Sequence, residues 1–132
     1  VEDSGPLNPA DANTPVFKGC FSPEITVQTL AARLSEGLGR EPLVIGEGNV
    51  NSIAWCTGAG QGYLDAAADA GADVYVTGEV SEQSVHIARE RGIAFIAAGH
   101  HATERYGVQA LGAKASECFG ITHEFIEIDN PV

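Results

Sequence analysis

The stretch 72–105, "ADVYVTGEVSEQSVHIARERGIAFIAAGHHATER", alternates between apolar runs and helical patterns. The runs "VYVT" (74–77) and "IAFIAA" (93–98) are apolar, rich in β-branched and aromatic residues, and each is followed by glycine. Between them, "SEQSVHIARERG" begins with a candidate N-cap, Ser81, and stops at Gly92. Continuous apolar strands separated by helices are typical of sheets that are covered on both faces. The stretch therefore predicts a strand–helix–strand–helix unit of an α/β domain.

The same alternation extends to both sides of this stretch. Upstream, we predict strands at "PLVIG" (42–46) and "SIAWCTG" (52–58) and a helix at "GYLDAAADAG". Downstream, "ATERYGVQALGAKASECFG" predicts a helix, and the alternating "HEFIEIDNP" predicts a closing strand. An earlier helix is expected to begin at Ser22 and Pro23 and to stop at the glycines 37 and 39. We therefore predict an α/β fold with a mixed, largely parallel sheet flanked by helices.

The composition bounds the class of partner. The chain has 132 residues, enough for one domain, and a formal net charge of -11 from 18 acidic and 7 basic residues. So few cations exclude direct binding to a nucleic-acid backbone, which requires a basic stripe. No run approaches the roughly 18 apolar residues that a membrane span needs, so no membrane partner is expected. The composition fits a protein whose ligands are small or cationic.

The cysteines and the first residues indicate the setting of the chain. Cys20, Cys56 and Cys118 are an odd, scattered set without CxxC spacing, which is typical of a reducing compartment, so we expect a cytoplasmic protein. The first residues are rich in Pro, Asp, Asn and Ser and lack the pattern of a signal peptide. Residues 1–19 are expected to form a flexible lead-in or insertion before a domain at 20–132. Because the chain lacks an initiator Met, we expect a fragment of a longer protein or a processed product.

Polar residues follow three of the predicted strands. Thr57, Glu79 and His100 each stand at or directly after the glycine-marked end of an apolar run. In open α/β sheets, the loops beyond the carboxyl ends of parallel strands line the ligand crevice. If these strands are parallel, the three residues lie at one edge of the sheet.

The glycine-rich stretch "CTGAGQG" (56–62) allows two interpretations. Its glycines do not fit the GxGxxG dinucleotide pattern, and no Lys-Ser/Thr follows as in a phosphate-binding P-loop. A tight strand-to-helix turn that needs glycine dihedrals is favoured over a dedicated phosphate cradle. Small anion contacts at this turn stay open.

The stretch "GHHATER" (99–105) places two histidines ahead of an acid on one predicted helix. His100 lies about 40° from Glu104 around the helix axis, and His101 lies about 60° from it in the opposite sense. Either histidine can therefore share a face with Glu104. An imidazole with a carboxylate suits Zn, Mn, Fe, Co or Ni. The alternative is a solvated pair on a helix surface.

Three further residues allow a functional and a structural interpretation. His86 lies within a predicted helix and is a candidate to face the same edge as His100, with a packed or surface histidine as the alternative. His123 opens the predicted last strand and is interpreted as structural. Cys56 follows Trp55 in an apolar strand without a cationic neighbour in sequence, so a buried, inert thiol is favoured over a nucleophile.

Several motifs in fixed order resemble those of a known family. The stretch 54–111 contains a Cys-Thr-Gly-x-Gly-Gln turn, then Thr-Gly-Glu ahead of a helix with a histidine, then Gly-His-x-x-x-Glu-Arg. Together they resemble the carboxyl-terminal half of the NIF3-like (YbgI) family, also called dinuclear metal centre proteins or GTP cyclohydrolase 1 type 2 homologues. The resemblance covers about residues 20–132.

The resemblance implies a hexameric ring of α/β subunits, each binding two divalent metal ions between two similar halves. It implies that His100 and Glu104 are metal ligands and that His101 is a neighbour. The family's other ligands, a His-His pair and an Asp, lie in the amino-terminal half and have no match in this chain. We therefore expect partial metal binding or none by this chain alone, with Thr57, Glu79 and His86 as polar groups around the ligands.

Two functions follow from these expectations. The first is a metal-dependent hydrolase acting on a small, nucleotide-like substrate, in which Glu79 or His86 orients water or substrate. The second is a non-catalytic oligomeric module that binds metal or other proteins. The family's cyclohydrolase label does not decide between them, because a fold or family name does not establish a reaction.

Overall fold

The structure is a computed structural model that describes residues 1–11 and 13–132. Within these residues it contains six β-strands and four α-helices, and a 3-10 turn, Gln61–Tyr63, precedes the second helix. In chain order these elements are β1 (Glu2–Pro6), β2 (Phe17–Thr26), α1 (Val27–Leu38), β3 (Leu43–Ile45), β4 (Asn49–Trp55), α2 (Leu64–Asp69), β5 (Val74–Thr77), α3 (Glu82–Arg91), β6 (Ala94–Ala97) and α4 (His100–Phe119).

The described strands form one mixed sheet in the order β1-β2-β4-β5-β6-β3. The central strands β4, β5 and β6 are parallel, whereas β1–β2, β2–β4 and β3–β6 pair antiparallel. Parallel neighbours require crossover connections, and α2 and α3 supply the two that join these three strands. The predicted mixed α/β class is confirmed, but "largely parallel" holds only for the centre of the sheet.

Helices cover both faces of the sheet, which explains the continuous apolar strands. One core cluster joins Tyr75 and Phe95 to Leu64 of α2 and Ala88 of α3. The alternate strand residues belong to the other cluster, which joins Val74, Val76, Ala94 and Ile96 to Val27 and Leu30 of α1. Each central strand therefore buries both of its faces.

The helix boundaries follow local capping. As predicted, Ser81 caps α3, with its Oγ accepting a hydrogen bond from Ser84 N at 3.2 Å, and Gly92 ends the helix at φ 65°. The predicted start at Ser22 and Pro23 is wrong, because β2 continues through both residues. Helix α1 begins at Val27, directly after β2, and its N-cap is Thr26, whose Oγ1 accepts a hydrogen bond from the backbone N–H of Thr29 at 3.1 Å.

The two ends of the chain also differ from expectation. Residues 1–19 contain β1 and the start of β2, so they contribute to the sheet and are not a separate lead-in; Ala12, which that prediction also covered, lies outside the described residues. The strand predicted at 123–131 does not form: His123 and Glu127 contact α4, while Ile126 and Ile128 are exposed and no strand among the described residues pairs with the segment. No helix in the described ranges is long and apolar enough to span a membrane.

Candidate functional site

Three glycine turns meet at the carboxyl ends of β4, β5 and β6. Gly78 N donates to Gly58 O at 2.9 Å, and Gly99 N donates to Gly78 O at 2.9 Å. Gly58 N donates to Thr103 Oγ1 of α4 at 3.0 Å. The strand ends therefore converge as the sequence predicted, and these hydrogen bonds fix the amino end of α4 against the turns.

Each ring nitrogen of His100, the first residue of α4, lies within hydrogen-bond distance of a carboxylate. Its Nδ1 lies 2.6 Å from Glu79 Oε1, and its Nε2 lies 2.9 Å from Glu104 Oε2. Gln61 Nε2 donates to the other Glu79 oxygen at 3.2 Å. Residues from three separate loops and helices thus form one hydrogen-bonded row.

The structure resolves which histidine pairs with Glu104. His100 makes the contact one helical turn away, whereas His101 turns aside and places its Nε2 3.1 Å from Glu127 Oε1. The sequence left both histidines open, since each is within reach of Glu104 around an ideal helix. The competing carboxylate of Glu127, far away in sequence, explains the orientation of His101.

The two carboxylates change the ionisation of the row. The hydrogen bond between His100 and the Glu79 carboxylate is the main cause that raises the pKa of His100, and the negative charge of Glu104 adds to it, while partial burial opposes both. The hydrogen bond with His100, followed by that from Gln61, lowers the pKa of Glu79. The side chains of Glu79 and His100 remain 33% and 36% exposed, so solvent still reaches them.

His100 and Glu104 fit one edge of a divalent-metal site. Two adjacent ligands, each about 2.1 Å from one ion, lie about 3 Å apart, which matches the 2.9 Å between Nε2 and Oε2. A carboxylate on the other ring nitrogen, as Glu79 is here, typically orients a metal-binding histidine. Within 1–11 and 13–132, however, no group of three or more His, Cys, Asp or Glu side chains is arranged to hold a metal. An imidazole and a carboxylate, two of the ligand types that such a site uses, thus lie side by side here.

Gly58 is required where the turn passes Glu104. Its φ is 63°, and a Cβ at this position would lie 2.8 Å from Glu104 Cδ. The N–H groups of Gly58 and Gly60 are both used within the turn, by Thr103 Oγ1 and by Thr77 Oγ1. The interpretation as a tight turn is therefore supported, and these two N–H groups are not free to bind a phosphate.

Buried hydroxyl groups that the sequence did not single out hold the turn in place. Thr77 Oγ1 accepts from Gly60 N at 3.0 Å and donates to Gly58 O at 3.2 Å. The hydroxyl of Tyr75, whose pKa is raised mainly by burial, donates to Gly60 O at 2.7 Å. A threonine that ends a strand directly before glycine was the available signal, but the pattern did not show that its hydroxyl turns inward.

The structure does not bring His86 to this row. The buried side of α3 is set by Ser84 and Ala88, and His86 lies about 200° around the helix from Ser84. Its side chain is 64% exposed and lies 4.0 Å from Glu82, its one ion-pair partner among the described residues. His86 is therefore a surface histidine, the alternative that the sequence left open.

Thr57, Cys56 and His123 take up different positions. Thr57 is exposed beside the row, and its carbonyl accepts from Cys56 Sγ at 3.4 Å. Burial is the main cause that raises the pKa of Cys56, which fits an inert thiol. His123 lies in the segment after α4, and its ring packs over Gly112, where a Cβ would be 2.6 Å from His123 Cε1.

An apolar cavity of about 290 Å³ lies beside the turns. One wall is α1, with Leu30, Leu34 and Leu38, and the floor is the sheet, with Ile53 and Trp55. The cavity reaches Thr57, just after β4, and Thr103 in the first turn of α4. The site thus combines a polar row at the start of α4 with an apolar surface next to it.

Comparisons with known proteins agree with this architecture. The model of the family described as Duf34/NIF3 (NGG1p interacting factor 3) matches residues 2–131. The GTP cyclohydrolase 1 type 2 homolog of Pseudomonas aeruginosa is 53% identical over 131 residues, which are 98% of this chain and 52% of that protein. The homologous protein of Pasteurella multocida, with the same name, is 46% identical over 99% of this chain and 53% of its own length.

Solved structures give the same result. The structure of protein ybgI, described as of unknown function, superimposes with a TM-score of 0.87 at 43% identity, covering 97% of this chain and 51% of that one. TTHA1606 from Thermus thermophilus gives a TM-score of 0.76 at 35% identity, over 86% of this chain and 47% of that one. This chain therefore spans about half the length of the relatives it matches.

Proposed function

This chain belongs to the Duf34/NIF3 family, and from that premise we propose that it contributes one part of a divalent-metal centre at the carboxyl ends of β5 and β6. His100 and Glu104 would be the ligands, and Glu79 would orient the His100 ring. Nitrogen and oxygen ligands of this kind suit Zn, Mn, Fe, Co or Ni. In the complete protein we propose two ions per subunit, with the remaining ligands supplied from outside the residues of this chain.

The spacing of His100 and Glu104 carries this proposal. Their 2.9 Å separation suits two ligands of one ion, and the Glu79 carboxylate on Nδ1 keeps Nε2 directed toward Glu104. The row is anchored at both ends, because Gln61 holds Glu79 and the Gly58 turn packs against Glu104. A site that is preorganised in this way needs little rearrangement to accept an ion.

For the activity, we favour a metal-dependent hydrolase of a small substrate. A bound divalent ion lowers the pKa of a coordinated water and so supplies hydroxide near neutral pH. The residues of this chain would hold the ligand geometry, while Thr57 and the apolar cavity beside it offer a surface for the substrate. The curated relatives are named GTP cyclohydrolase 1 type 2 homologs, which suggests a nucleotide-like substrate. Three free thiols, Cys20, Cys56 and Cys118, favour a cytoplasmic setting.

A second candidate is a non-catalytic module that acts by assembly, and α4 favours it. Ala102 is the one buried residue among the 20 of this fully described helix. Val108, Leu111 and Phe119 are 56%, 70% and 78% exposed. Apolar surface of this kind commonly marks an interface with another chain. We therefore propose that the protein forms a homo-oligomer, a hexamer by analogy with its family, whichever activity it has.

Metal-dependent turnover distinguishes the two candidates. The complete natural polypeptide would be loaded in turn with Mn²⁺, Zn²⁺, Fe²⁺, Co²⁺ and Ni²⁺ and assayed on nucleotides and phosphoesters. For a hydrolase, Glu104→Ala lowers turnover by more than about 100-fold, beyond the effect expected of a group that only supports a ligand. Glu117→Ala removes an exposed acid from the same helix and serves as the matched control. Stoichiometric metal without turnover on any of these substrates would support the module and contradict the hydrolase.

A further inference from the structure

Residues 121–132, here called the return segment, run back along α4 from its carboxyl end to its amino end. Ser116 Oγ donates to Ile121 O near the end of the helix, and the His123 ring packs over Gly112. At the start of the helix, His101 N donates to Val132 O at 3.1 Å. The last residues of the chain therefore lie beside the proposed metal ligands, although they follow them by about 30 positions.

The return segment covers a polar groove at the start of α4, here called the Arg40 groove. Its volume is about 370 Å³. Its polar lining is Arg40, His101 and Arg105 on one side and Glu127, Asp129 and Asn130 of the return segment on the other, so it contains two acids as well as two arginines. An adjoining pocket contains His100 and Glu104 and shares His101, Arg105 and Asn130 with this groove. The two together form a path from the proposed metal ligands to Arg40.

One carboxylate of the chain already occupies part of this groove. Glu127 Oε1 lies 3.1 Å from His101 Nε2 and accepts from Arg105 Nη1 at 3.2 Å. The other terminal nitrogen of Arg105 donates to Leu38 O at 2.7 Å, which holds the guanidinium in place. The groove therefore presents a fixed cation to an anionic group, and here that group is the chain's own side chain.

Arg40 is the unused cation of the groove. Its side chain lies on the backbone just ahead of His100, since a Cβ on Gly99 would be 2.9 Å from Arg40 Cδ and 3.0 Å from its Nη1. That Nη1 is buried and meets no hydrogen-bond acceptor among the residues that the structure describes. A buried donor without an acceptor is costly, and a guanidinium is suited to bind a carboxylate or phosphate.

We propose that the Arg40 groove binds the phosphate or carboxylate group of a small ligand between Arg40 and Arg105, and that Glu127 occupies this position until the ligand displaces it. Two of the 7 basic residues of a chain with net charge -11 converge here. A rotation of the Arg40 side chain away from Gly99 would bring its buried Nη1, unpaired within the described residues, to an anion in the groove. The binding of the anion itself is independent of metal. Its place in catalysis rests on the proposed function, because the same path would set the rest of the ligand beside His100 and Glu104.

The competition by Glu127 predicts substitutions with opposite effects. Arg40→Gln removes the free cation and is expected to weaken binding of inorganic phosphate by about tenfold or more, the usual range for a charge-assisted hydrogen bond. Glu127→Gln removes the competing charge and is expected to strengthen the binding of inorganic phosphate several-fold. The matched controls are Arg89→Gln, an exposed arginine of α3, and Glu124→Gln, an exposed acid of the return segment.

The test is a titration of the full chain, made metal-free with EDTA and then transferred to metal-free buffer without EDTA, with inorganic phosphate and separately with acetate. It is followed through the backbone amide NMR shifts of Arg40 and His101. The proposal expects saturable shifts that weaken in Arg40→Gln and strengthen in Glu127→Gln, while both controls match the unmodified chain. A gain of affinity in Glu127→Gln cannot result from misfolding, so this variant still decides the proposal if Arg40→Gln does not fold.

Three outcomes would overturn the proposal. They are the absence of saturable shifts with both anions in Glu127→Gln, equal affinities for Arg40→Gln and Arg89→Gln, or equal gains for Glu127→Gln and Glu124→Gln. In each case the Glu127 contacts would be a structural tie between the return segment and α4. Because metal is absent, such a failure leaves the metal proposal intact, and a loss of metal binding in other experiments leaves this one intact.

Discussion

His100 depends on one neighbour that is local in sequence and one that is distant. Glu79 follows β5, Glu104 lies one turn along α4, and together they orient both nitrogens of the His100 ring. The i, i+4 spacing made the contact with Glu104 foreseeable. The contact with Glu79 required the strand ends to be parallel, and the glycine after each strand was its sequence signal. The pairing of His101 with Glu127 was not foreseeable, because nothing local indicates that the return segment passes there.

Gly58 gives a prediction at the same scale. Gly58→Ala introduces a Cβ at φ 63° that presses on the Glu104 carboxylate, so we expect the free energy of unfolding to fall by about 1–3 kcal/mol. Gly62→Ala is the matched control, because a Cβ there meets no atom within 4 Å, and the same free energy should change by less than about 1 kcal/mol. Urea unfolding followed by circular dichroism measures both. Equal destabilisation of the two variants would show that the contact with Glu104 has no role in stability.

The helices and central strands were predictable because local signals and burial agree there. Helix α3 has a cap, a stop and a single buried side, and both neighbouring strands are buried throughout. The signals failed where a distant partner decides the structure. The pattern at Ser22 and Pro23 resembles a helix start, yet β2 continues through this stretch and pairs with β4 on both sides of it, at Cys20 and at Ile25. The alternating stretch from His123 onward resembles a strand, but it has no strand neighbour in the described part of the chain, and His123 packs against Gly112 of α4.

The cap of α3 tests the link between local sequence and element stability. Ser81 and Ser84 form a reciprocal capping box, in which each side chain satisfies a backbone N–H at the start of the helix. We expect Ser81→Ala to lower the free energy of unfolding by about 1 kcal/mol, because one of these donors loses its acceptor. Gln83→Ala, an exposed change within the same turn, should be nearly neutral. Thermal unfolding measures both variants. An equal fall in the free energy of unfolding in Gln83→Ala would mean that the cap does not stabilise the amino end of α3.

Taken as a whole molecule, the chain is a folded α/β unit with a polar row at the carboxyl ends of its central strands. It belongs to a family whose members it matches over about half of their length, and within the described residues no group of three or more His, Cys, Asp or Glu side chains is arranged to hold a metal. The strong negative charge disfavours contact with nucleic acid, and the exposed apolar side of α4 supports the proposed assembly with another protein surface. One proposal accounts for these features, a metal centre that residues outside this chain complete.

Metal binding by His100 is the central claim, and calorimetric titration of the metal-free complete polypeptide with Zn²⁺ tests it most directly. We predict that His100→Ala loses at least one bound ion per subunit. Glu79→Ala is expected to weaken the affinity for that ion by about 10–100-fold, because the ring of His100 is no longer held. His86→Ala, which removes an exposed histidine of α3, should titrate like the unmodified protein. Unchanged stoichiometry and affinity in His100→Ala would contradict the account.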